Sequence, residues 1–215
     1  MVKNAEINNK INSYNRLRNS STRRYAAFDL CYEYFYNNRR NLIGNNLQTS
    51  CCQLWAYLAS WGMVMRGNEL QRSSYAILTG VVKYIHSHSE YYNIKIEDKN
   101  YIDKILELYD GIDKALDLKE QKNKKTLITK IILGVYACCP AFDSRFCRTF
   151  GTSTSGRLSK RNLQSVVDFY KKHKLIFDNI CFYTLHFDKK EKNPCLKYTP
   201  AKLIDMYGFE RNEKM

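Results

Sequence analysis

The chain of 215 residues is predicted to be an all-α protein of seven to nine helices. Apolar residues recur three and four positions apart in most of its longer segments, which is the repeat of a helix with one buried face. Proline, glycine and short polar stretches separate these segments and supply helix caps and stops. Hydrophobic residues make up 44% of the chain, so its composition is that of a folded protein rather than a disordered one.

Each helix is placed by where its apolar repeat begins and ends. Residues 1–24 are expected to form a polar, basic arm with a short helix at 7–17, and residues 25–215 a single helical domain. Within this domain helices are predicted over residues 25–36, 47–61, 69–86, 98–118, 125–138, from 143, over 159–173 and over 201–207. Residues 176–187 alternate weakly between apolar and polar, which favours an extended segment.

Three boundaries carry specific signals. Pro140 ends the helix before it, because proline lacks the backbone N–H donor that a helix needs. Ser159 is typical of a helix N-cap, since its hydroxyl accepts a bond from an unpaired amide of the first turn. Thr199 followed by Pro200 indicates another start, with a cap and then proline at the first helical position.

The charge of the chain indicates a polyanionic partner. Lys and Arg number 35 against 21 Asp and Glu, a formal net charge of +14. The basic residues cluster around turns and helix starts rather than along one helix, which favours a nucleic-acid groove over a membrane-surface helix. The open alternative is a generally basic surface without a specific partner.

The sequence gives no sign of a membrane or of export. It has no apolar run of the roughly 20 residues that a spanning helix needs, and no apolar core near its N-terminus. We therefore expect a cytoplasmic protein without a signal peptide. Its eight cysteines include no CxxC pair, and four of them are adjacent pairs in apolar runs, so reduced core thiols are expected.

No cofactor, metal ion or obligatory protein partner is predicted. His86 and His88 could ligate a metal, but alternate positions on a helix diverge and no partner cluster stands near them in the sequence. Phosphate-binding loops of the GxxxxGK[ST] and GxGxxG types are not found, and neither is GxSxG.

The most informative segment runs from residue 124 to residue 151. It reads KKTLITKIILGVYACCPAFDSRFCRTFG: a basic turn, an apolar helix, a break at Pro140, and an acid opening a helix that is basic on its outer side. In this pattern Asp143 is either a helix N-cap alone, a catalytic carboxylate, or both. Lys130, in the middle of the apolar helix, is expected to extend to solvent or to pair with an acid.

This segment resembles the helix-hairpin-helix DNA glycosylase superfamily. In that family an apolar helix opens with Lys-Thr, and an apolar–Asp pair follows about 18 residues after the lysine; here Lys125-Thr126 and Phe142-Asp143 stand 18 positions apart. The family's hairpin usually has a glycine-rich turn before the lysine, whereas this chain reads KEQKNKK without glycine. Lysine side chains are therefore expected to take the phosphate contacts that backbone amides make in the family.

The resemblance implies a two-lobed helical bundle with a basic groove between the lobes, and a helix-turn-helix unit at about residues 119–151. Asp143 would be the carboxylate that stabilises the oxocarbenium-like sugar when the N-glycosidic bond breaks. Lys125 matches the Schiff-base lysine of bifunctional members, and its neighbour Lys124 would lower its pKa by repulsion. The alternative for Lys125 is a phosphate contact or a solvated charge, and we expect a monofunctional enzyme.

A base extruded from duplex DNA needs an aromatic pocket, because stacking replaces what the base loses. The candidates for this pocket are Trp55, Trp61, Tyr136 and Phe142. The candidate DNA contacts are Arg66, Lys122, Lys124, Thr126, Arg145, Arg148, Arg157, Lys160 and Arg161.

The predicted function is a DNA glycosylase that removes a modified base and leaves an abasic site. The chain is similar to small, basic bacterial helical glycosylases, among them a type that defends against phage by excising modified bases such as modified cytosine from phage DNA. Two alternatives stay open: a non-catalytic nucleic-acid-binding protein, and an effector that acts on RNA. Repair of oxidised or alkylated bases is the competing role within the enzyme class.

Overall fold

The computed structural model describes residues 4–64, 69–118, 124–187 and 194–210. In these ranges the chain forms ten α-helices and five short 3₁₀ helices. The α-helices are α1 (Asn4–Leu17), α2 (Ala27–Asn37), α3 (Leu47–Ser60), α4 (Thr79–Ser87), α5 (Tyr101–Leu116), α6 (Lys125–Tyr136), α7 (Ser144–Thr149), α8 (Lys160–Lys172), α9 (Lys174–Asn179) and α10 (Pro200–Glu210). An isolated antiparallel bridge joins Tyr183 and Lys197. The prediction of an all-α fold is confirmed.

Two helices form the centre of the molecule. α6 is buried along nearly its whole length and packs against α2, α3 and α5. α10 is buried throughout and packs against α1, α7, α8 and α9. Both sequences are apolar on almost every side, as expected of helices that have neighbours all round. The buried apolar side chains form one connected cluster to which all ten helices contribute.

The N-terminal segment forms the short helix that the sequence predicts there, and this helix packs on the rest of the chain. α1 buries Ile7, Ile11 and Tyr14 and packs on α10. These three positions follow the four-then-three spacing of one helix face. Mostly polar residues occupy the rest of the helix, so the narrow apolar stripe is hard to recognise from the composition of the segment.

Two predicted elements differ in the structure. The helix expected over residues 69–86 is α-helical only from Thr79, after two 3₁₀ helices at Glu69–Arg72 and Tyr75–Leu78. The hydroxyl of Ser74 accepts a bond from the Ala76 amide and so caps a new helical turn inside the predicted helix. Residues 176–179, expected to be extended, belong to α9 instead.

The predicted capping residues are confirmed where they concern the second half of the chain. Ser159 accepts a bond from the Asn162 amide and forms a capping box at the start of α8. The Thr199 hydroxyl accepts a bond from the Lys202 amide at 3.1 Å, at the start of α10. All eight cysteines are free, and six of them lie at least partly buried. In the part of the chain described, no helix has both the length and the apolar character required to span a membrane.

Candidate functional site

A cleft of about 490 Å³ opens where the end of α3 meets α6, α7 and α10. One carboxylate, three cations and two aromatic rings determine its chemistry: Asp143, Arg24, Lys130, Arg145, Trp61 and Phe209. A volume of this size lies within the range of small-molecule sites, and it is large enough for a nucleoside.

Asp143 lies in the wall of this cleft and makes two different contacts. Its Oδ1 atom accepts a bond from the Phe146 amide at 3.0 Å and thereby caps α7. Its Oδ2 atom is 3.2 Å from Lys130 Nζ, and 16% of the side chain is exposed. The predicted cap is therefore present, and the same carboxylate also borders the cleft.

The chain before Asp143 is fixed to α6 by two hydrogen bonds. The Phe142 amide donates to Thr129 Oγ1, and the Thr126 hydroxyl donates to the Phe142 carbonyl, both at 2.9 Å. Phe142 itself is fully buried. Because both backbone groups of the preceding residue are held, the position of Asp143 relative to α6 is tightly determined.

Lys130 links Asp143 to the aromatic wall of the cleft, which is formed by Trp61 and Phe209. It projects from the second turn of α6 in a largely apolar run, and only 6% of its side chain is exposed. Its ammonium lies 4.9 Å from the centre of the Trp61 ring. The expected pairing of Lys130 with an acid is confirmed, and its partner is the candidate catalytic residue.

The rings of the aromatic wall contact one another edge to face, and cations lie over their faces. Trp61 makes edge-to-face contacts with Tyr25 and Phe209 at 5.8 and 5.7 Å between ring centres. Arg24 lies 5.3 Å from the Trp61 ring, and Arg145 lies 4.4 Å from the Phe209 ring. Each contact is within cation–π distance, so the guanidinium groups are positioned by the rings they cover.

A second ionic pair lies beneath the cleft. Lys202 Nζ is 3.0 Å from Asp205 Oδ2 and also donates to the Tyr14 hydroxyl at 3.3 Å. Asp205 Oδ1 accepts a bond from the Ala141 amide at 3.0 Å. Burial lowers the pKa of Lys202, and the Asp205 carboxylate opposes that shift. This pair connects α10 to the segment that leads into Asp143 and so supports the floor of the cleft.

Lys125, the predicted Schiff-base lysine, does not line the cleft. Its ammonium donates to the carbonyls of Ser153 and Ser155, the latter at 2.9 Å, and the residue is 1% exposed. Burial lowers its pKa. The predicted cause, repulsion from Lys124, is wrong, since Lys124 is paired with Asp113 at 2.7 Å. In the structure Lys125 holds the loop between α7 and α8.

Only one of the four predicted pocket aromatics lines the cleft. Trp61 does, whereas Trp55 is partly buried against the core elsewhere. Tyr136 is buried and donates its hydroxyl hydrogen to the His88 carbonyl at 3.2 Å. Tyr136 and the fully buried Phe142 are core residues, so the pocket prediction is wrong for both. Residues in a long apolar run are as suited to the core as to a pocket, and the sequence alone does not separate the two.

Apart from Arg66 and Lys122, the predicted DNA contacts fall into three groups. Thr126 and Arg145 line the cleft. Arg148 and Arg161 are exposed away from its lining. Arg66 and Lys122 lie outside the described residues.

The third group is engaged by acids of α5. Lys124 pairs with Asp113, Arg157 with Asp110, and Lys160 with Asp103 at 2.8 Å. Each of these bases therefore has an acidic partner within the protein, and the exposed Arg157 and Lys160 pairs hold only weakly. Spacing along the chain could not show this, because the acids belong to a different helix.

Two of the six side chains that determine the chemistry of the cleft were not predicted as site residues. Arg24 lies between α1 and α2, and Phe209 lies at the end of α10. Arg24 stands in the basic cluster Arg23-Arg24, which is a weak signal, and Phe209 has no distinguishing pattern around it.

Comparison with known proteins adds no family: no family model matches the chain, and neither a curated protein nor a solved structure matches it. The class of protein is therefore defined by the fold and the cleft alone. It is an all-helical protein whose cleft combines a carboxylate with cations and aromatic rings.

Proposed function

We propose that the protein is a monofunctional DNA glycosylase that hydrolyses the N-glycosidic bond of a base extruded from duplex DNA. The observation that carries this proposal is the position of Asp143, partly exposed in a cleft between cationic and aromatic side chains. A carboxylate in that setting suits a reaction in which positive charge develops on a sugar beside a polyanionic backbone.

In the proposed step the bond between C1′ and the base nitrogen breaks, and its electron pair leaves with the base. The ionised Asp143 stabilises the oxocarbenium-like sugar, and a water molecule then adds to C1′. The proton of this water passes to the carboxylate and on to the departing base. Lys130 acts as a positioning residue. Its hydrogen bond to Oδ2 and the hydrogen bond from the Phe146 amide to Oδ1 together fix the plane of the Asp143 carboxylate.

The walls of the cleft suit an extruded nucleotide. Trp61 and Phe209 contribute aromatic surface to the cleft beside the cations that cover their ring faces, and contact with this surface compensates an extruded base for unstacking from the duplex. Arg24 and Arg145 lie against these rings, where they are placed to contact flanking phosphates. Substrate recognition therefore uses residues from the beginning, the middle and the end of the described chain.

The finer assignment is the helix-hairpin-helix type, with a basic groove between two lobes. It is supported by the order of elements around the site: α6 begins at Lys125, a non-helical segment that contains Pro140 follows, and Asp143 caps α7. Most of the hairpin turn before Lys125 lies outside the described residues. Within this class we propose a cytoplasmic anti-phage role with a modified cytosine of phage DNA as the substrate.

A second candidate is a nucleic-acid-binding protein without catalysis, and one observation favours it. Both carboxylate oxygens of Asp143 already have protein partners, so a purely structural role would account for its contacts. An effector acting on RNA is the third candidate, and it differs from the others in its substrate.

The proposal is tested by the release of free base. Modified phage DNA and unmodified DNA are incubated with the protein, and released bases and abasic sites are measured by mass spectrometry. We expect free modified base and an equal number of abasic sites from the modified DNA. Binding of both DNAs without release of any base would support the non-catalytic candidate, and cleavage of RNA alone would support the effector.

A further inference from the structure

A cluster of ligand-type side chains lies away from the cleft, where the chain after α9 crosses α2. His186 Nδ1 is 3.1 Å from Glu33 Oε2, and His186 Nε2 is 3.2 Å from Cys195 Sγ. One donor atom from each of the three residues lies within 4.8 Å of the other two. Glu33 belongs to α2, whereas His186 and Cys195 follow α9, so the fold brings distant parts of the chain together here.

We propose that Glu33, His186 and Cys195 form a zinc-binding site that joins the segment between α9 and α10 to α2. This inference is independent of the proposed glycosylase activity.

The donor set is typical of zinc. A thiolate sulfur, an imidazole nitrogen and a carboxylate oxygen are the three side-chain ligands that zinc takes in proteins. Zinc–ligand bonds are about 2.0–2.3 Å, so two ligands of one ion lie at most about 4.6 Å apart. A single zinc ion takes one nitrogen of His186, and one donor atom from each of the three residues lies within 4.8 Å of the other two, close to that limit. Three protein ligands would leave one tetrahedral position for water.

The carboxylate of this cluster is held by a surrounding shell. The Thr184 hydroxyl donates to Glu33 Oε1, and the Leu196 amide donates to Thr184 Oγ1 at 2.9 Å. Glu33 is buried, with 9% of its side chain exposed. Such second contacts are what orient ligands at a metal site.

The charge of the cluster also favours a cation. Among the residues that the structure describes, Glu33 has no ion pair with Lys or Arg, and its partner is the His186 ring. A buried carboxylate without a cation is costly, and a divalent ion would offset that cost.

The site is tested by competitive zinc titration of the full chain against a chromophoric chelator. We expect one zinc ion per wild-type chain. Cys195→Ser and His186→Ala should each lower the affinity by more than about 100-fold, and Glu33→Gln by roughly 10–100-fold. The matched control is Cys181→Ser, which removes the other exposed cysteine and should leave the affinity unchanged.

A second measurement uses the wild-type protein alone, so it does not depend on whether the variants fold. Alkylation with iodoacetamide is followed by peptide mass spectrometry with and without zinc. Zinc should slow modification of Cys195 and leave that of Cys181 unchanged. Wild-type protein that binds no zinc, or Cys195 alkylated equally fast in both conditions, would overturn the proposal.

Discussion

At the scale of single residues, Asp143 caps a helix and also borders the cleft in a position suited to catalysis. One oxygen caps α7 and the other meets Lys130, yet the side chain still borders the cleft. The sequence predicts the cap, since an acid follows a proline break and precedes a helix. It also predicts that Lys130 pairs with an acid, but not which acid, because that depends on how the chain turns after Pro140.

The position of Lys125 leads to a prediction about covalent chemistry. Its ammonium is buried and bonded to the carbonyls of Ser153 and Ser155, so we expect no imine with an abasic sugar. Borohydride reduction during the reaction with DNA should trap no protein–DNA adduct on a denaturing gel.

A bifunctional glycosylase with its own substrate provides the positive control for trapping. An adduct whose peptide maps to Lys125 would contradict the buried position of this amine. An adduct at Lys130 would contradict monofunctional catalysis and identify the amine beside Asp143 as the nucleophile.

At the scale of the elements, the sequence predicts the helices more readily than it predicts the contacts between them. The apolar repeat of α5 and the caps of α8 and α10 are local features, and they are confirmed. Ion pairs between helices are not local. The acids on α5 pair with Lys124 before α6 and with Arg157 and Lys160 near the start of α8. The sequence of α5 does not indicate these bases, and the sequence around the bases does not indicate the acids.

The positions of two arginines relative to the cleft predict unequal effects of replacing them. Arg145 lines the cleft, whereas Arg157 lies outside its lining. Arg145→Ala should lower DNA affinity by roughly 10-fold at low salt and lower the slope of affinity against salt concentration by the equivalent of about one phosphate contact. Arg157→Ala is the matched control and should change both quantities by little. The measurement is fluorescence anisotropy with labelled duplex at several salt concentrations, and an unchanged affinity of Arg145→Ala would contradict DNA binding in the cleft.

At the scale of the whole molecule, the cleft depends on parts of the chain that are far apart in sequence. Arg24 precedes α2, Trp61 follows α3, Asp143 caps α7 and Phe209 lies near the end of α10. All ten helices share one core, so packing rather than any motif brings these residues together. The all-α class and the candidate carboxylate could be predicted from sequence. Trp61 is among the predicted pocket residues, but the sequence does not separate it from the buried Tyr136, and it gives no signal for Phe209.

The most direct test of the account is the single-turnover rate of base release by Asp143→Asn on modified DNA. Asparagine keeps an oxygen that caps α7, so the helix should remain intact while the carboxylate charge is lost. We expect the rate to fall by about 100–1,000-fold or more, with DNA affinity nearly unchanged. Asp168→Asn, on the exposed side of α8, is the control and should retain the wild-type rate. Base release by folded Asp143→Asn at the wild-type rate would contradict the account.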